Sequence, residues 1–458
     1  MKLEKGKNYN ENYLAKVVKL SSFVPHPDPE VNKLKVAIVD GYRVIVGIDE
    51  KPGLFIYFPA MSQINPELLR FANLYRHSEK NNSSGKSGLF EDNGRVVAIK
   101  LRGQVSEGFL LPVETFISWC IDSVNKEPEI KAGTEFDIVK DGDKFFWVCK
   151  KYYKKFSGKG KSRSGGTKLR GKVPERLFDK VIPTQFRFHY QTVLLRKCPH
   201  VIHPDDLISI TAKVNGTSGI SAYVLCKKQL GWKEKIAKWL TGATFDEYDY
   251  IYSSRTVIKN QYINKNAGPG YYGVDIWKYA DNIVRPLLDR GMTAYYEILG
   301  YLPNGKGIQG NFDYGFVPPE EGETFTYGKH FGVQIYRVTL TNTLGHVHEF
   351  SPREVQEWCK NNGLKPVEEY YYGYAKELYP DIPQDDNWTT EFLEHLAGDK
   401  RFYMEEFSPT CVNQVPHEGI VIKIDNMFSE AFKLKCFKYI NKEQKALDKG
   451  EIDIENEN

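Results

Sequence analysis

The sequence predicts an α+β fold in two parts. A small β-barrel is expected over residues 1–150, ahead of a larger domain of antiparallel sheets with flanking helices over residues 176–440. Three observations lead there. Asp40-Gly41 joins two apolar runs, Leu34–Val39 and residues 42–46, and Asp-Gly in that setting is the strongest short-range hairpin signal. Short segments of alternating apolar and polar residues recur along the chain, which marks strands. Helical patterns with start signals punctuate the second half, so sheets and helices share one domain.

The remaining N-terminal strands are expected at 13–20, 54–58, 95–101 and 108–111. Several short strands with turns between them suit a small barrel. Residues 150–172 then contain Lys, Arg, Gly and Ser in abundance and no acidic residue. This reads as a basic flexible linker over 151–175, either a plain tether or a segment that touches a phosphate backbone. In the second part, Ser351-Pro352-Arg353-Glu354 opens a helix with a capping box and Gly363 closes it. Residues 273–290 and 387–399 also read as amphipathic helices, and 441–458 as a charged tail that frays.

Size and composition bound the function. A chain of 458 residues with 41% hydrophobic residues can hold two or three domains with sizeable cores. A net charge of +4 permits nucleic-acid binding without requiring it. The seven cysteines form no C-x-x-C pair, which argues against structural zinc. Their odd number, with no signal peptide, points to reduced thiols and a cytoplasmic location. No apolar run is long enough to span a bilayer, so no membrane partner is expected.

The chemistry lies in five pieces in fixed order: Lys213-Val214-Asn215-Gly216, Ser254-Arg255-Thr256, Tyr296-Glu297-Ile298, the run from His417-Glu418-Gly419 to Lys423, and Lys433-Leu434-Lys435. Lys-x-x-Gly alone carries little, because it also begins at Lys100, Lys155, Lys168, Lys228, Lys265 and Lys360. Lys213 differs in following a buried-strand pattern at 207–212, with Asn215-Gly216 expected as a tight turn through a positive-φ glycine. A lysine at a rigid strand end suits a nucleophile, provided that burial and nearby positive charge favour the neutral amine. Lys433 and Lys435 face one side of a strand. Taken alone, that pair is a solvated lysine stripe; within the set it becomes a triphosphate clamp. Glu418, on the same face as Ile420 and Ile422, can ligate Mg²⁺ or stand exposed at a strand end. Glu297 lies in an apolar run and requires a partner or ligand. Arg255, read as strand-borne, suits bidentate phosphate contacts. Tyr336 is chosen as an aromatic that stacks on a base, with core packing as the alternative.

This ordered set resembles the motifs of the covalent nucleotidyltransferases, the ATP-dependent RNA and DNA ligases and the capping guanylyltransferases. The resemblance implies that Lys213 carries AMP. It implies that Arg255 contacts phosphate or nucleic acid, and that Glu297 binds the ribose or a metal. It further implies that Tyr336 stacks on adenine, that Glu418 helps bind Mg²⁺ or Mn²⁺, and that Lys433 and Lys435 hold phosphate. Asn215 departs from the Asp or Glu of many relatives, and Ser218 from the arginine usual in DNA ligases. Only 23 residues follow Lys435 (458 − 435), too few for a C-terminal OB barrel. Residues 86–90, 99–104 and 408–411 are similar to segments of the fifth RNA ligase family, in which an OB module precedes the transferase domain. The implied function is an ATP-dependent RNA ligase (EC 6.5.1.3), acting as a monomer on RNA or an RNA-containing nicked duplex. Two alternatives stay open: a GTP-using capping guanylyltransferase, and a nucleic-acid-binding protein with an inactive transferase domain.

Overall fold

A computed structural model describes residues 1–83, 85–153, 180–242, 244–260, 272–427 and 430–449. Most of the expected basic linker lies outside these residues.

In the N-terminal part the hairpin forms as read, Leu34–Val39 pairing with Tyr42–Gly47 through Asp40, whose φ is +51°. The central antiparallel sheet runs in the order Gly108–Pro112, Gly53–Pro59, Ala15–Leu20, Glu135–Phe136. Two of the expected strands are shorter. Tyr13 belongs to a 3-10 turn, and only Ile99–Leu101 of residues 95–101 is a strand. The helix Val113–Val124 has no counterpart in the sequence reading. Its buried residues Val113, Phe116, Trp119 and Cys120 nevertheless show the three-to-four spacing of a helix packed on one side.

The second part is built on two sheets. One runs Val193–Leu194, Ala431–Lys435, Gly419–Ile424, Leu207–Ala212, Glu369–Tyr374. Its even-numbered residues Ile208, Ile210, Ile420, Ile422, Phe432 and Leu434 pack against Trp388, Phe392, Leu393 and Leu396 of the helix Trp388–Gly398. The other runs Asp246–Ser254, Thr217–Lys227, Met292–Gly300, Phe331–Thr341, Val347–Glu349. Helices Ile276–Val284 and Pro352–Asn361 cover it. Both halves of the Ser351/Glu354 capping box are present, and Gly363 has φ +64° just past the helix end.

The two parts are joined by specific contacts. The Gly41 N–H donates to the Arg196 carbonyl at 2.7 Å, and the Arg196 guanidinium donates back to the Gly41 carbonyl at 3.0 Å. Asn12 accepts from the Leu194 N–H at 2.9 Å and donates to the Thr192 carbonyl at 3.2 Å. Residues 441–449 are helical. They continue the helix Phe437–Lys449, because buried Gln444 bonds both backbone groups of Ala98, at 2.8 and 3.0 Å.

Candidate active site

Lys213 leaves the strand Leu207–Ala212 with its backbone fixed on both sides. The Ala212 N–H donates to the Glu368 carbonyl at 2.8 Å and the Lys213 N–H to the Gly419 carbonyl at 2.9 Å. The next residues are pinned by a tyrosine absent from the sequence reading. The Asn215 N–H donates to the Tyr314 hydroxyl at 3.0 Å, and that hydroxyl donates to the Asn215 carbonyl at 2.9 Å. Gln309 donates to the Gly216 carbonyl. Gly216 does not have the positive φ expected of it. Glycine is required there for space: a Cβ would lie 2.7 Å from Leu299 Cδ2, 2.8 Å from the Ile298 carbonyl and 3.0 Å from Glu297 Oε2.

The positive-φ glycine of the site is Gly419, at +133°. Strict alternation would put Glu418 beside Ile420 and Ile422, facing the helices. The positive φ of Gly419, the first residue of the strand, breaks that alternation, and buried Glu418 reaches Lys213 instead. Its Oε1 lies 2.5 Å from Lys213 Nζ and 3.9 Å from Lys435 Nζ. Lys435 also bonds Glu443 at 2.9 Å. His417 is buried beside it, and burial pushes its imidazole down to about 4, with Lys213 acting in the same direction.

Glu297 gets the partner that its apolar setting demands. Ser218 sits opposite it in the sheet and donates to Glu297 Oε1 at 2.7 Å. Ser218 thus orients a carboxylate. Arg255 is the first residue after the strand Asp246–Ser254 rather than within it.

One cavity between the two sheets is lined by Lys213, Arg255, Glu297, Tyr336, Lys433 and Lys435 together. Glu418 touches it through its two lysines. On the first sheet the odd-numbered residues Ser209, Thr211, Lys213, Val421, Lys423, Lys433 and Lys435 face the cavity, the period-two complement of the packed even face. The lining holds six cations (Lys213, Arg255, Arg337, Lys423, Lys433, Lys435) against three carboxylates (Glu297, Glu349, Glu369). Such a cavity suits a polyanion. Arg337 bonds Glu349 in bidentate fashion at 2.8 to 2.9 Å, and Lys423 reaches the same carboxylate at 3.3 Å. Tyr336 presents its ring to the cavity and meets His189 edge-on, with ring centroids 5.1 Å apart. Burial, then Arg337, Arg255, Lys433 and Lys213, hold the His189 imidazole well below the ordinary histidine range.

No family model matches this chain, and no curated protein matches it. Solved structures do. An RNA ligase of Naegleria gruberi with PPi is 16% identical, with a TM-score of 0.54, over 94% of this chain and 99% of that one. An apo mutant of the same ligase is 15% identical, with a TM-score of 0.56, over 95% and 99%. A mutant with ATP and Mn gives 15% and 0.53 over 95% and 99%. The chain shares the fold of these RNA ligases. The coverage spans both parts of the chain, so the likeness is not confined to the motif-bearing sheets. Tyr314, His189, Arg337, Glu349 and Lys423 are the lining or anchoring residues that sequence reasoning passed over. Lys423 alone carried a legible signal, as the odd-numbered partner of Val421 in an alternating strand.

Proposed function

We propose that this chain is an ATP-dependent RNA ligase that joins 3′-OH and 5′-phosphate ends. The observation that carries this reading is the convergence of Lys213, Arg255, Glu297, Tyr336, Lys433 and Lys435 on one cationic cavity. In the first step Lys213 Nζ attacks the α-phosphorus of ATP. A P–N bond forms, the bond to the β-phosphate oxygen breaks, and pyrophosphate leaves. AMP then passes to a 5′-phosphate. Attack by the 3′-OH forms the phosphodiester and releases AMP. Lys433, Lys435 and Arg255 are assigned to phosphate, Tyr336 to the adenine face and Glu297 to the ribose or a metal. The Lys213 amine must lose a proton before it attacks, and Glu418 is the carboxylate at hydrogen-bond distance.

The acidic groups fit Mg²⁺ or Mn²⁺. Among the described residues no group of three or more His, Cys, Asp or Glu could hold a metal. A Mg²⁺-type cation needs only one or two carboxylates and completes its shell with phosphate oxygens and water. Glu418 and Glu297 are the carboxylates that would hold it, and the cation would offset phosphate charge during transfer. The N-terminal part, read as an OB-type module, is assigned to gripping the nucleic acid, with sealing at nicks in duplexes for RNA repair as the expected task.

Labelled ATP and labelled GTP, offered separately with Mg²⁺ or Mn²⁺, test the reading. ATP should mark Lys213, pyrophosphate should remove the mark, and a nicked RNA-containing duplex should be sealed. Labelling by GTP alone would make the chain a guanylyltransferase. No label with either nucleotide would leave a binding protein with an inactive domain.

A further inference from the structure

The helix Trp232–Thr241 is inside out. At 3.6 residues per turn, Trp232, Ile236, Trp239 and Leu240 share an arc of about 100°. An apolar arc of that width ordinarily packs against a core. Here Trp239 is 83% exposed, Trp232 70%, Leu240 68% and Ile236 48%, and no residue of the helix is buried. The half-buried positions are Glu234 and Ala237. The helix thus turns its polar and small side toward the protein and its apolar side to solvent. It is firmly built: Glu234 caps the Gly231 N–H at 2.9 Å and holds Lys228 at 2.6 Å, and Gly242 ends it with φ +67°.

We propose that this helix docks the protein on an anionic lipid surface. Lys233 and Lys235 flank the apolar arc on its two sides, and Lys238 lies beyond Lys235. That is the arrangement of an interfacial helix, whose apolar face enters the acyl boundary while flanking lysines reach acidic headgroups. Two exposed indoles on the same face suit the headgroup level, where the ring is apolar and its N–H stays wet. No helix among the described residues is long and apolar enough to cross a membrane, so the contact is peripheral.

Other occupants fit less well. A second copy of the helix would bring lysine-flanked faces of like charge together. A nucleic-acid strand would stack on the indoles but gain little from Ile236 and Leu240 between them. Position also separates the helix from the catalytic cavity. It caps the hairpin between Lys227 and Asp246, at the far end of the eleven-residue strand Thr217–Lys227. At about 3.3 Å per residue the strand puts the helix roughly 35 Å from the cavity-facing end. Docking there would leave the cavity open to substrate.

The test is co-sedimentation of the full chain with phosphatidylcholine vesicles, with and without phosphatidylserine. The chain should pellet with the phosphatidylserine vesicles, weakly with the neutral ones, and less as salt is raised. Trp232→Ser with Trp239→Ser, and separately Lys233→Gln with Lys235→Gln and Lys238→Gln, should each lower binding by about tenfold or more. The thermal midpoint should not change, since these side chains are exposed. Failure of the wild-type chain to bind acidic vesicles would overturn the proposal. So would binding that survives the double tryptophan change, or equal binding to neutral lipid. A tryptophan-dependent self-association or RNA affinity without vesicle binding would assign the face to a second copy or to nucleic acid instead.

Discussion

The Lys213 amine and the Glu418 carboxylate stand 2.5 Å apart, just past the end of the antiparallel ladder between Leu207–Ala212 and Gly419–Ile424, where the Lys213 N–H donates to the Gly419 carbonyl. The pair joins residues 205 positions apart in the chain (418 − 213). It sets two requirements for the first chemical step: an amine as nucleophile and a carboxylate beside it. Lys213→Arg keeps the positive charge and the ion pair but supplies no competent amine. It should take no label from ATP while unfolding near the wild-type temperature. Labelling of that variant at another lysine would reassign the nucleophile.

Glu418→Gln keeps the shape and removes the charge. Lys213 adenylylation should fall by about 10²-fold or more, the scale of losing a positioned proton acceptor. A rate within a few-fold of wild type, measured by single-turnover labelling, would dismiss Glu418 from the step.

Gly216→Ala probes close approach rather than turn geometry. Because φ is not in the left-handed region, alanine is allowed by the backbone and excluded by Leu299 and the Ile298 carbonyl. A stability loss of about 1–3 kcal/mol is expected from such overpacking, together with loss of adenylylation as Glu297 is displaced. Urea unfolding of this variant beside Gly219→Ala, whose Cβ would meet the Tyr296 ring at 2.3 Å, gives the comparison.

The burial of His417 makes a pH prediction. Its imidazole titrates near 4 in the fold and near 6.5 once unfolded. Between those values the unfolded chain binds the extra proton. The stability from the neutral buried ring is therefore fully present above about pH 6.5 and is lost as pH falls toward 4. Going from pH 7 to pH 5 should cost about 2 kcal/mol from this group. His417→Gln should flatten that part of the stability profile in urea titrations. An unchanged slope would mean that other groups set it.

What could be read from the chain was whatever local chemistry specifies. The Asp40 turn, the Ser351/Glu354 cap and the alternation of lysines and apolar residues at 431–435 depend on neighbours within a few residues, and each appears in the structure. The motif lysines and carboxylates stand out by their order along the chain, and all but Glu418 line one cavity. Three kinds of feature were not legible. Tyr314 clamps Asn215 from 99 residues away, and nothing in its own surroundings marks it. His189 and the Arg337–Glu349–Lys423 group gain their meaning only when two sheets face one another. Gly419 breaks a strand alternation that the residue letters alone imply is continuous, and so Glu418 was assigned to the wrong face. Residues 441–449 read as a charged tail because the one residue buried among them is polar Gln444, while the apolar contact of the helix, Tyr439, lies before them.

That glutamine yields the last prediction. Gln444 satisfies both the N–H and the carbonyl of buried Ala98 in the N-terminal part, and Arg95 adds a 2.8 Å pair to Asp448 on the same helix. One turn before Asp448, Glu443 holds Lys435, which faces the cavity. The helix thus links the N-terminal part mechanically to a cavity lysine. Gln444→Leu preserves bulk but leaves two buried backbone groups of Ala98 unpaired, at a cost of about 1–3 kcal/mol each before the helix yields. The cheaper outcome is release of the helix into water. Limited proteolysis should therefore cut the variant within 437–449 faster than wild type, and Lys213 adenylylation should drop as Lys435 loses its support from Glu443. Equal protease resistance would show that the helix is held by contacts other than Gln444. Normal labelling by a variant that is readily cut would uncouple the helix from the cavity.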